Sequence, residues 1–437
     1  MYSTDLPVAI VKYDGTLNAL RRSIELCNGF EKLREGDKIL VKPNIAWGGG
    51  GSKKMPKYGF ITTSRIVEDL IQLLRERGCR HISIGEGAVV SEELGSDTFK
   101  GYKWSGIERV ARKHGVKLID FNREPHRKVE LDGTEIEVSN AALESDFLIN
   151  LPVLKTHTQT KVSLGLKNLK GCLDMRSRME FHKGNLEHLI ALLNTRVKPE
   201  LTIIDGIYAM ERGPDSLGTA HRMNLIIAGR DNLSCDVVGS TVLGIEPSSV
   251  EHLKEFASMA KRSLDISTVD VRGESIKDVV KELKWDRDPE DMFREAGVKG
   301  VSFQHPGKHF CSGCLISVES VLVAFLKDNQ GITLDDIEIC CGPDVKPRKE
   351  SRKSFLVGTC SIGANRDLGD AIRVKGCPPK VAETLITLMN HTLGKRRARR
   401  IMAVRGLKKI AHKLAIYDED FPTFKRYESP EFDKRHF

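Results

Sequence analysis

Short apolar runs, each ending at a glycine, a proline or a polar cluster, recur along the first half of the chain. The clearest runs lie at 8–13, 38–43, 81–87 and 116–121. Between them, apolar residues recur every three or four positions, which is the spacing of an amphipathic helix. Strands that alternate with helices in this way are typical of a parallel sheet. We predict an α/β fold class, with a doubly wound, mostly parallel sheet domain and a smaller C-terminal α/β domain.

Changes in composition divide the chain into four predicted segments. Residues 1–245 carry the alternating pattern, and 246–305 read as a linker or small subdomain. Residues 306–394 hold six of the ten cysteines, and 395–437 form a basic tail. In a reducing compartment, ten cysteines are not expected to form a disulfide framework.

The formal net charge of +9 belongs to one segment. Residues 395–413 contain nine Lys and Arg and no acidic residue, so the rest of the chain is formally neutral. This segment is predicted to be a solvated helix, a contact with an acidic membrane surface or a contact with an acidic protein partner. Nucleic acid is disfavoured, because no aromatic residue is interleaved before Tyr417. A redox partner protein and a homodimer are both compatible with the sequence.

No window reaches the eighteen or so unbroken apolar residues that a membrane-spanning helix needs. The first thirty residues also lack the basic and then apolar order of a secretory signal. We therefore predict a cytoplasmic protein.

The stretch at 146–172 has the strongest signal for a binding site. An apolar strand at 147–151 is followed by Lys155, His157, Lys167, Asn168 and Lys170, with no acidic residue from the first to the last. Open α/β sheets bind ligands beyond the carboxyl ends of their strands. Lysine and asparagine donors suit a carboxylate or a phosphate, so we predict a site for a small anionic substrate. A solvated basic loop is the alternative.

Further polar residues follow other predicted strands. Lys42 and Asn44 come after the second strand, and we predict that they bind the substrate together with Lys155, Lys167 and Asn168. The predicted catalytic residues are His157 and His182, which could transfer a proton near neutral pH, and Asp205. Asp205 could orient a lysine, bind a metal, act as a base or simply cap the next turn. No dinucleotide-binding glycine motif follows a strand, so NAD is not predicted, whereas flavin stays open.

These motifs carry a resemblance to a known family. VKPN at 41–44, VLKTH at 153–157, GLKNLKGC at 165–172 and DGI at 205–207 occur in this order. The chain resembles the domain of unknown function 362 family over about residues 8–260. The resemblance implies an α/β fold and iron–sulfur cysteines in a family widespread among anaerobic bacteria and archaea, mostly without an assigned reaction.

The C-terminal cysteines predict a [4Fe–4S] cluster. Cys311 and Cys314 stand at the start of an apolar helical segment, and two apolar runs end near Cys341 and Cys360. Loops after adjacent strands could bring such thiolates together, as a four-iron cluster requires. Gly-Cys-Pro-Pro at 376–379 resembles the cluster-binding motif in the small subunits of complex-I-like and nickel–iron hydrogenase enzymes.

The predicted cluster ligands are Cys311, Cys314, Cys360 and Cys377, with Cys340 or Cys341 as a substitute. Structural zinc, a redox dithiol at Cys311 and Cys314, and cysteines that merely pack in the core are the alternatives.

Together these features predict an iron–sulfur-dependent oxidoreductase of anaerobic metabolism that acts on an anion bound by the lysines. Three alternatives stay open. The first is a non-enzymatic electron carrier or cluster-bearing adaptor, and the second is a zinc-containing, non-redox anion-binding protein. The third is an enzyme whose metal acts as a Lewis acid.

Overall fold

The computed structural model describes residues 6–48, 58–90, 95–214, 218–307, 310–348, 351–395 and 416–417. The chain divides into two compact units: unit 1 comprises residues 1–285 and 416–437, and unit 2 comprises residues 286–415. Within the described ranges, no helix is both long and apolar enough to cross a membrane.

The strands and helices alternate along much of the chain. The strands are β1 (Val8–Lys12), β2 (Ile39–Pro43), β3 (Ile82–Glu86), β4 (Lys117–Asp120), β5 (His126–Leu131), β6 (Thr134–Ser139), β7 (Phe147–Leu151), β8 (Val153–His157), β9 (Lys161–Val162), β10 (Leu201–Glu211), β11 (Thr219–Gly229), β12 (Val271–Gly273), β13 (Lys299–Gln304), β14 (Thr333–Cys341), β15 (Lys353–Val357), β16 (Ile372–Val374) and β17 (Ile416–Tyr417). The α-helices are α1 (Leu17–Leu26), α2 (Ser64–Glu76), α3 (Thr98–Ser105), α4 (Ile107–His114), α5 (Asn140–Leu143), α6 (Gly165–Asn168), α7 (Met175–Lys183), α8 (Leu186–Arg196), α9 (Asn232–Val242), α10 (Glu251–Ala260), α11 (Ile276–Val279), α12 (Pro289–Glu295), α13 (Ser312–Leu326), α14 (Thr359–Ala364) and α15 (Val381–Thr392). Short 3-10 helices lie at Leu169–Cys172, Pro247–Ser249 and Ile266–Thr268.

The main sheet of unit 1 has the strand order β12-β1-β11-β10-β7-β2-β3-β4. Along this path β11 alone runs opposite to the others, since it pairs antiparallel with β1 and β10 and all other neighbours pair parallel. The predicted mostly parallel sheet is confirmed. Strands β5 and β6 form a separate hairpin, whose turn residues Asp132 and Gly133 have φ angles of 46° and 78°.

Helices cover both faces of this sheet, because successive strand residues point to opposite sides. In β2, Ile39 and Val41 belong to one core with residues of α1, α2 and α4, whereas Leu40 belongs to a second core with residues of α8, α9 and α10. Strands buried on both faces read as continuous apolar runs, which is the pattern seen in the sequence. The doubly wound prediction is therefore confirmed.

Unit 2 is a smaller α/β unit, as predicted. Its four strands are all parallel in the order β13-β14-β15-β16. Residues of α13 and α15 pack with Ile339, Cys341 and Phe355 in one core, and Cys340 and Leu356 belong to a separate small cluster with Val345.

The boundary between the units differs from the prediction. The sequence indicated a linker at 246–305, but the chain divides after Trp285. The reason is burial, since Val250, Leu253 and Ala257 pack into the second core of unit 1. The predicted surface contacts of the basic tail at 396–413 lie outside the described residues.

Candidate functional site

The carboxyl ends of neighbouring parallel strands bring four of the predicted substrate-binding residues together. Strand β2 pairs with β7 and β3, so Lys42 lies beside Asn150, and the side chain of Glu86 reaches it from the end of β3. One hydrogen-bonded group joins the side chains of Lys42, Asn44, Lys155 and Asn168. We call it the polar network of unit 1.

The ammonium group of Lys42 lies in a buried ion pair. Nζ donates to Glu86 Oε2 at 2.7 Å, to the carbonyl of Pro43 at 2.9 Å and to Asn168 Oδ1 at 3.3 Å. Lys42 and Glu86 are 1% and 2% exposed. The carboxylate also accepts the backbone N–H groups of Ile45 and Gly87. Both charges are therefore compensated within the protein, as buried charges must be.

Gly171 allows the chain to pass directly over this ion pair. A Cβ atom at this position would lie 2.3 Å from Glu86 Oε1 and 2.6 Å from Lys42 Nζ. The glycine in the GLKNLKGC motif is thus required by close approach, because any side chain would collide with the ion pair.

Asn44 links the second lysine to the network. Lys155 Nζ donates to Asn44 Oδ1 at 2.7 Å and to the carbonyl of Phe60 at 2.9 Å, and it lies 5.6 Å from the centre of the Phe60 ring. Asn44 Nδ2 in turn donates to Asn168 Oδ1 at 3.0 Å. Lys155 is 1% exposed.

A row of asparagines extends from this group into the core. Asn168 Nδ2 donates to Asn150 Oδ1 at 2.8 Å, Asn150 Nδ2 to Asn232 Oδ1 at 3.3 Å, and Asn232 Nδ2 to Asn194 Oδ1 at 3.0 Å. All four residues are at least nine-tenths buried. Such a satisfied buried network fixes one arrangement of side chains, because each broken bond would leave an unpaired polar group.

The short helix α6 carries Lys167 and Asn168. Two buried side chains, Asp236 and Asn150, bind the backbone at its start. Asp236 accepts the N–H groups of Gly165 at 2.6 Å and Leu166 at 2.9 Å, and Asn150 Nδ2 donates to the carbonyl of Gly165. Burial raises the pKa of Asp236 to about 7, although the two N–H donors oppose the shift.

Lys167 differs from the other lysines of the site. Among the described residues, its Nζ makes no hydrogen bond and no ion pair. Loss of hydration lowers the pKa of Lys167 to about 8, and the carboxylate of Glu187 opposes this shift. Glu187 itself is bound to His252, whose Nδ1 lies 2.5 Å from Glu187 Oε2.

His157 is 1% exposed and surrounded by positive charge. Burial lowers the pKa of His157 well below its usual value, and Lys167, Lys155, Lys170 and His182 lower it further, in that order. Its Nδ1 accepts the backbone N–H groups of Gln159 at 3.1 Å and Thr160 at 3.2 Å. Because Nδ1 is an acceptor in a neutral ring, the proton is on Nε2, which has no hydrogen-bond partner within the described ranges. His157 is thus a neutral, buried donor.

The two other predicted catalytic residues lie in different surroundings. His182 is exposed, and its Nε2 lies 2.8 Å from Lys170 Nζ. Asp205 is 1% exposed and accepts the N–H groups of Thr63 at 2.7 Å and Ile207 at 3.1 Å. These contacts are those of a cap that joins β10 to the start of α2, and burial raises the pKa of Asp205. Their catalytic roles stay predictions.

Several residues that shape this site were not assigned to it from the sequence. Glu86 ends a strand and stands between two glycines, which is a signal for a strand-exit acid, yet nothing in the sequence links it to Lys42. Asn150 and Asp236 lie inside a strand and a helix, where polar side chains at buried positions are the only indication.

In unit 2, the chain brings the predicted cluster ligands to one edge of the sheet. Cys314 lies within hydrogen-bonding reach of Cys311 and Cys341. The hydrogen bond with Cys311 lowers the pKa of Cys314. Four other effects raise it by more: the hydrogen bond with Cys341, burial, and the charges of Cys341 and Cys377. The net result is a raised pKa. Burial and the nearby Cys377 and Cys311 also raise the pKa of Cys360. We call Cys311, Cys314, Cys341, Cys360 and Cys377 the thiol group.

Local structure explains how these cysteines meet. Cys311 is the N-cap of α13, Cys341 ends β14, Cys360 lies in the first turn of α14 after β15, and Cys377 follows β16. A Cβ atom on Gly358, whose φ is +91°, would lie 3.6 Å from Cys314 Sγ, so the backbone passes close to the thiols. No three His, Cys, Asp or Glu side chains in the described part of the chain lie close enough to hold a single metal ion.

Cys340 and Cys341 face opposite sides of β14. Cys340 is completely buried near Glu338 and Arg348, and burial is the main cause that raises its pKa to about 12. Cys341 packs in the core that also contacts Cys314. Of the two substitutes considered from the sequence, the structure places Cys341 near the predicted ligands.

Comparisons with known proteins match part of unit 1 in sequence. Residues 39–241 match the family model "Domain of unknown function (DUF362)", so the predicted resemblance is confirmed over this range. The Thylakoid-associated protein sll1697 of Synechocystis sp. is 24% identical over 241 residues, which cover 54% of this chain and 72% of that protein.

The lactate racemase apoprotein from Thermoanaerobacterium thermosaccharolyticum is a solved structure with an overall likeness. It superimposes with a TM-score of 0.39 and 11% identity, over 96% of this chain and 88% of that chain.

Proposed function

We propose that this protein is an iron–sulfur enzyme that acts on a small anion bound in unit 1. In this proposal unit 2 holds a [4Fe–4S] cluster through Cys311, Cys314, Cys360 and Cys377. The observation that carries the proposal is that Cys311 and Cys341 lie within hydrogen-bonding reach of Cys314, while Cys377 acts on Cys314 and on Cys360 electrostatically. A bound cluster would supply one-electron transfer.

The chemistry of the thiol group suits iron–sulfur ligation. Four thiolates are the usual ligand set of a four-iron cluster, and helix starts and strand-exit loops can present them from different directions. Zinc ribbons instead bring their ligands as two close pairs. Here Cys360 and Cys377 are separated by a whole strand and its connections, which favours a cluster.

Metal retention in matched variants tests the cluster. Wild type, Cys314→Ser, Cys377→Ser and the control Cys340→Ser are each purified without oxygen. Their contents of iron, sulfide and zinc are then measured. Wild type and Cys340→Ser should contain about four irons per chain, and the other two variants should lose most of their iron. Zinc in place of iron, or equal iron loss in Cys340→Ser, would contradict the proposal.

Unit 1 has the features of an anion site. The positive charges of Lys155, Lys167 and Lys170 all act on the same histidine, His157. His157 is 1% exposed as a residue, and its Nε2–H makes no hydrogen bond in the part of the chain that the structure describes. A donor without a partner among cations is stabilised by an acceptor with negative charge.

Binding of oxalate, a small dianion, tests this site. Isothermal titration should show binding to wild type that the double variant Lys155→Met/Lys167→Met abolishes, while Lys170→Met retains most of it. If oxalate does not bind, or if all three proteins bind it equally, the lysines act only as a solvated or protein-docking surface. That result would leave an electron carrier rather than an enzyme.

A further inference from the structure

Lys167 has the surroundings of a reactive amine rather than those of a structural cation. The other lysines near His157 are occupied by neighbouring groups. Lys155 donates to Asn44 and Phe60, and Lys170 lies against His182 and the ring of Phe181. Among the described residues, Lys167 Nζ has neither a hydrogen bond nor an ion pair.

The backbone that carries this amine is held in place by hydrogen bonds. Helix α6 is clamped by Asp236 at Gly165 and Leu166, and Asn194 Nδ2 donates to the carbonyl of Leu166 at 3.0 Å. The residue itself is partly buried. A lysine on a rigid backbone with a free terminal amine suits covalent catalysis.

Its environment also favours the neutral amine, which is the nucleophilic form. The pKa of Lys167 is lowered to about 8, so a substantial fraction is unprotonated at slightly basic pH. The carboxylate that acts on it, Glu187, is held by His252.

His157 supplies a second group for the same chemistry. Of the charges that lower the pKa of His157, that of Lys167 has the largest effect, so the two side chains lie within electrostatic range of each other. The ring is held by the N–H groups of Gln159 and Thr160 at Nδ1, and its Nε2–H makes no hydrogen bond within the described residues. A neutral donor next to an amine can bind the carbonyl oxygen of a compound that the amine attacks.

On these contacts we infer that Lys167 forms an imine with a small carboxylate-bearing aldehyde or ketone, whose carbonyl oxygen is bound by His157 Nε2–H. The amine nitrogen bonds to the carbonyl carbon, and the carbonyl oxygen leaves as water with the two hydrogens of the amine. No oxidant or reductant is needed. Lys155 contributes the positive charge that attracts the carboxylate. This inference rests on the proposed anion site and names its substrate class.

Borohydride trapping tests the inference on the full-length protein. Glyoxylate carries both an aldehyde and a carboxylate, and glycolaldehyde carries the aldehyde alone. Reduction of the glyoxylate imine gives a stable adduct that peptide mass spectrometry assigns to a residue. We expect one main adduct, at Lys167, with glyoxylate and much less with glycolaldehyde.

Two variants provide the controls. Lys167→Arg keeps the positive charge and should lose the adduct, and Lys170→Arg should keep it at Lys167. Both should unfold at urea concentrations close to that of wild type, which shows that lost labelling is not lost folding. Labelling spread over many lysines, or unchanged total labelling in Lys167→Arg, would overturn the inference.

Oxalate separates this inference from the proposed function, because it binds as an anion but has no carbonyl that an amine converts readily to an imine. If oxalate binds to wild type and glyoxylate is not trapped, the imine is refuted and the anion site stands. If neither compound binds, both the inference and the proposed anion site are refuted.

Discussion

The buried ion pair between Lys42 and Glu86 leads to a quantitative prediction about stability. Replacing Lys42 with Met removes the ammonium group and leaves the Glu86 carboxylate, 2% exposed, with the N–H groups of Ile45 and Gly87 as its remaining hydrogen-bond donors among the described residues. Breaking one side of a buried ion pair costs about 3–5 kcal/mol. We expect a loss of this size in the free energy of unfolding of unit 1.

Tryptophan fluorescence during urea unfolding can measure this loss, because the three tryptophans of the chain, Trp47, Trp104 and Trp285, all lie in unit 1. With an m-value of about 3 kcal/mol/M for a unit of this size, the midpoint should fall by roughly 1 to 1.7 M. A change in midpoint without a change in slope identifies an effect on stability.

The double variant Lys42→Met/Glu86→Gln is the matched control. It removes both charges and keeps an acceptor for the neighbouring N–H groups, so it should be more stable than Lys42→Met by at least about 1 kcal/mol. If Lys42→Met unfolds within about 1 kcal/mol of wild type, Lys42 is not part of a tightly buried ion pair. If the double variant is the less stable of the two, the unpaired carboxylate is not the cause of the loss.

Three further predictions follow from the same contacts. The pKa of Asp236, about 7 in the folded state, is above its usual value of 3.8, so its contribution to stability is lost as pH rises from about 4 to about 7. The difference in urea midpoint, wild type minus Asp236→Asn, should fall as pH rises over this range and level off above it. A difference that does not change with pH would contradict this. Glu187 raises the pKa of Lys167, so Glu187→Gln should shift the pH profile of glyoxylate trapping to lower pH, and an unchanged profile would show that Glu187 does not act on this amine. Cys341→Ser should change the reduction potential of the cluster and Cys340→Ser should not, because only Cys341 lies beside Cys314; equal potentials in both variants and wild type would refute this reading.

The strand exits could be predicted from the sequence because parallel strands end at a common edge. This rule is enough to expect Lys42, Asn44 and Lys155 near one another. The partners that fix them could not be predicted, since Glu86 and Asp236 are far away in the chain from the groups they bind. The Lys42–Glu86 contact spans 44 positions and the Leu166–Asp236 contact spans 70.

The cysteines show a similar limit. Adjacent residues of a strand point to opposite faces, so the sequence indicates that Cys340 and Cys341 cannot both face the other thiols. Which of them does so depends on which face of β14 is covered by α13, and this is decided by tertiary packing. The unit boundary after Trp285 likewise depends on the packing of Val250 and Leu253 against unit 1.

Mössbauer and EPR spectroscopy of ⁵⁷Fe-labelled protein, purified without oxygen, test the central claim most directly. The proposed function predicts the Mössbauer spectrum of one [4Fe–4S] cluster per chain and an EPR signal that appears on reduction with dithionite. Wild type and Cys340→Ser should give the same spectra, and Cys314→Ser should give little or no cluster signal. Mononuclear iron, zinc alone, or a metal-free protein that is folded and stable would contradict the claim.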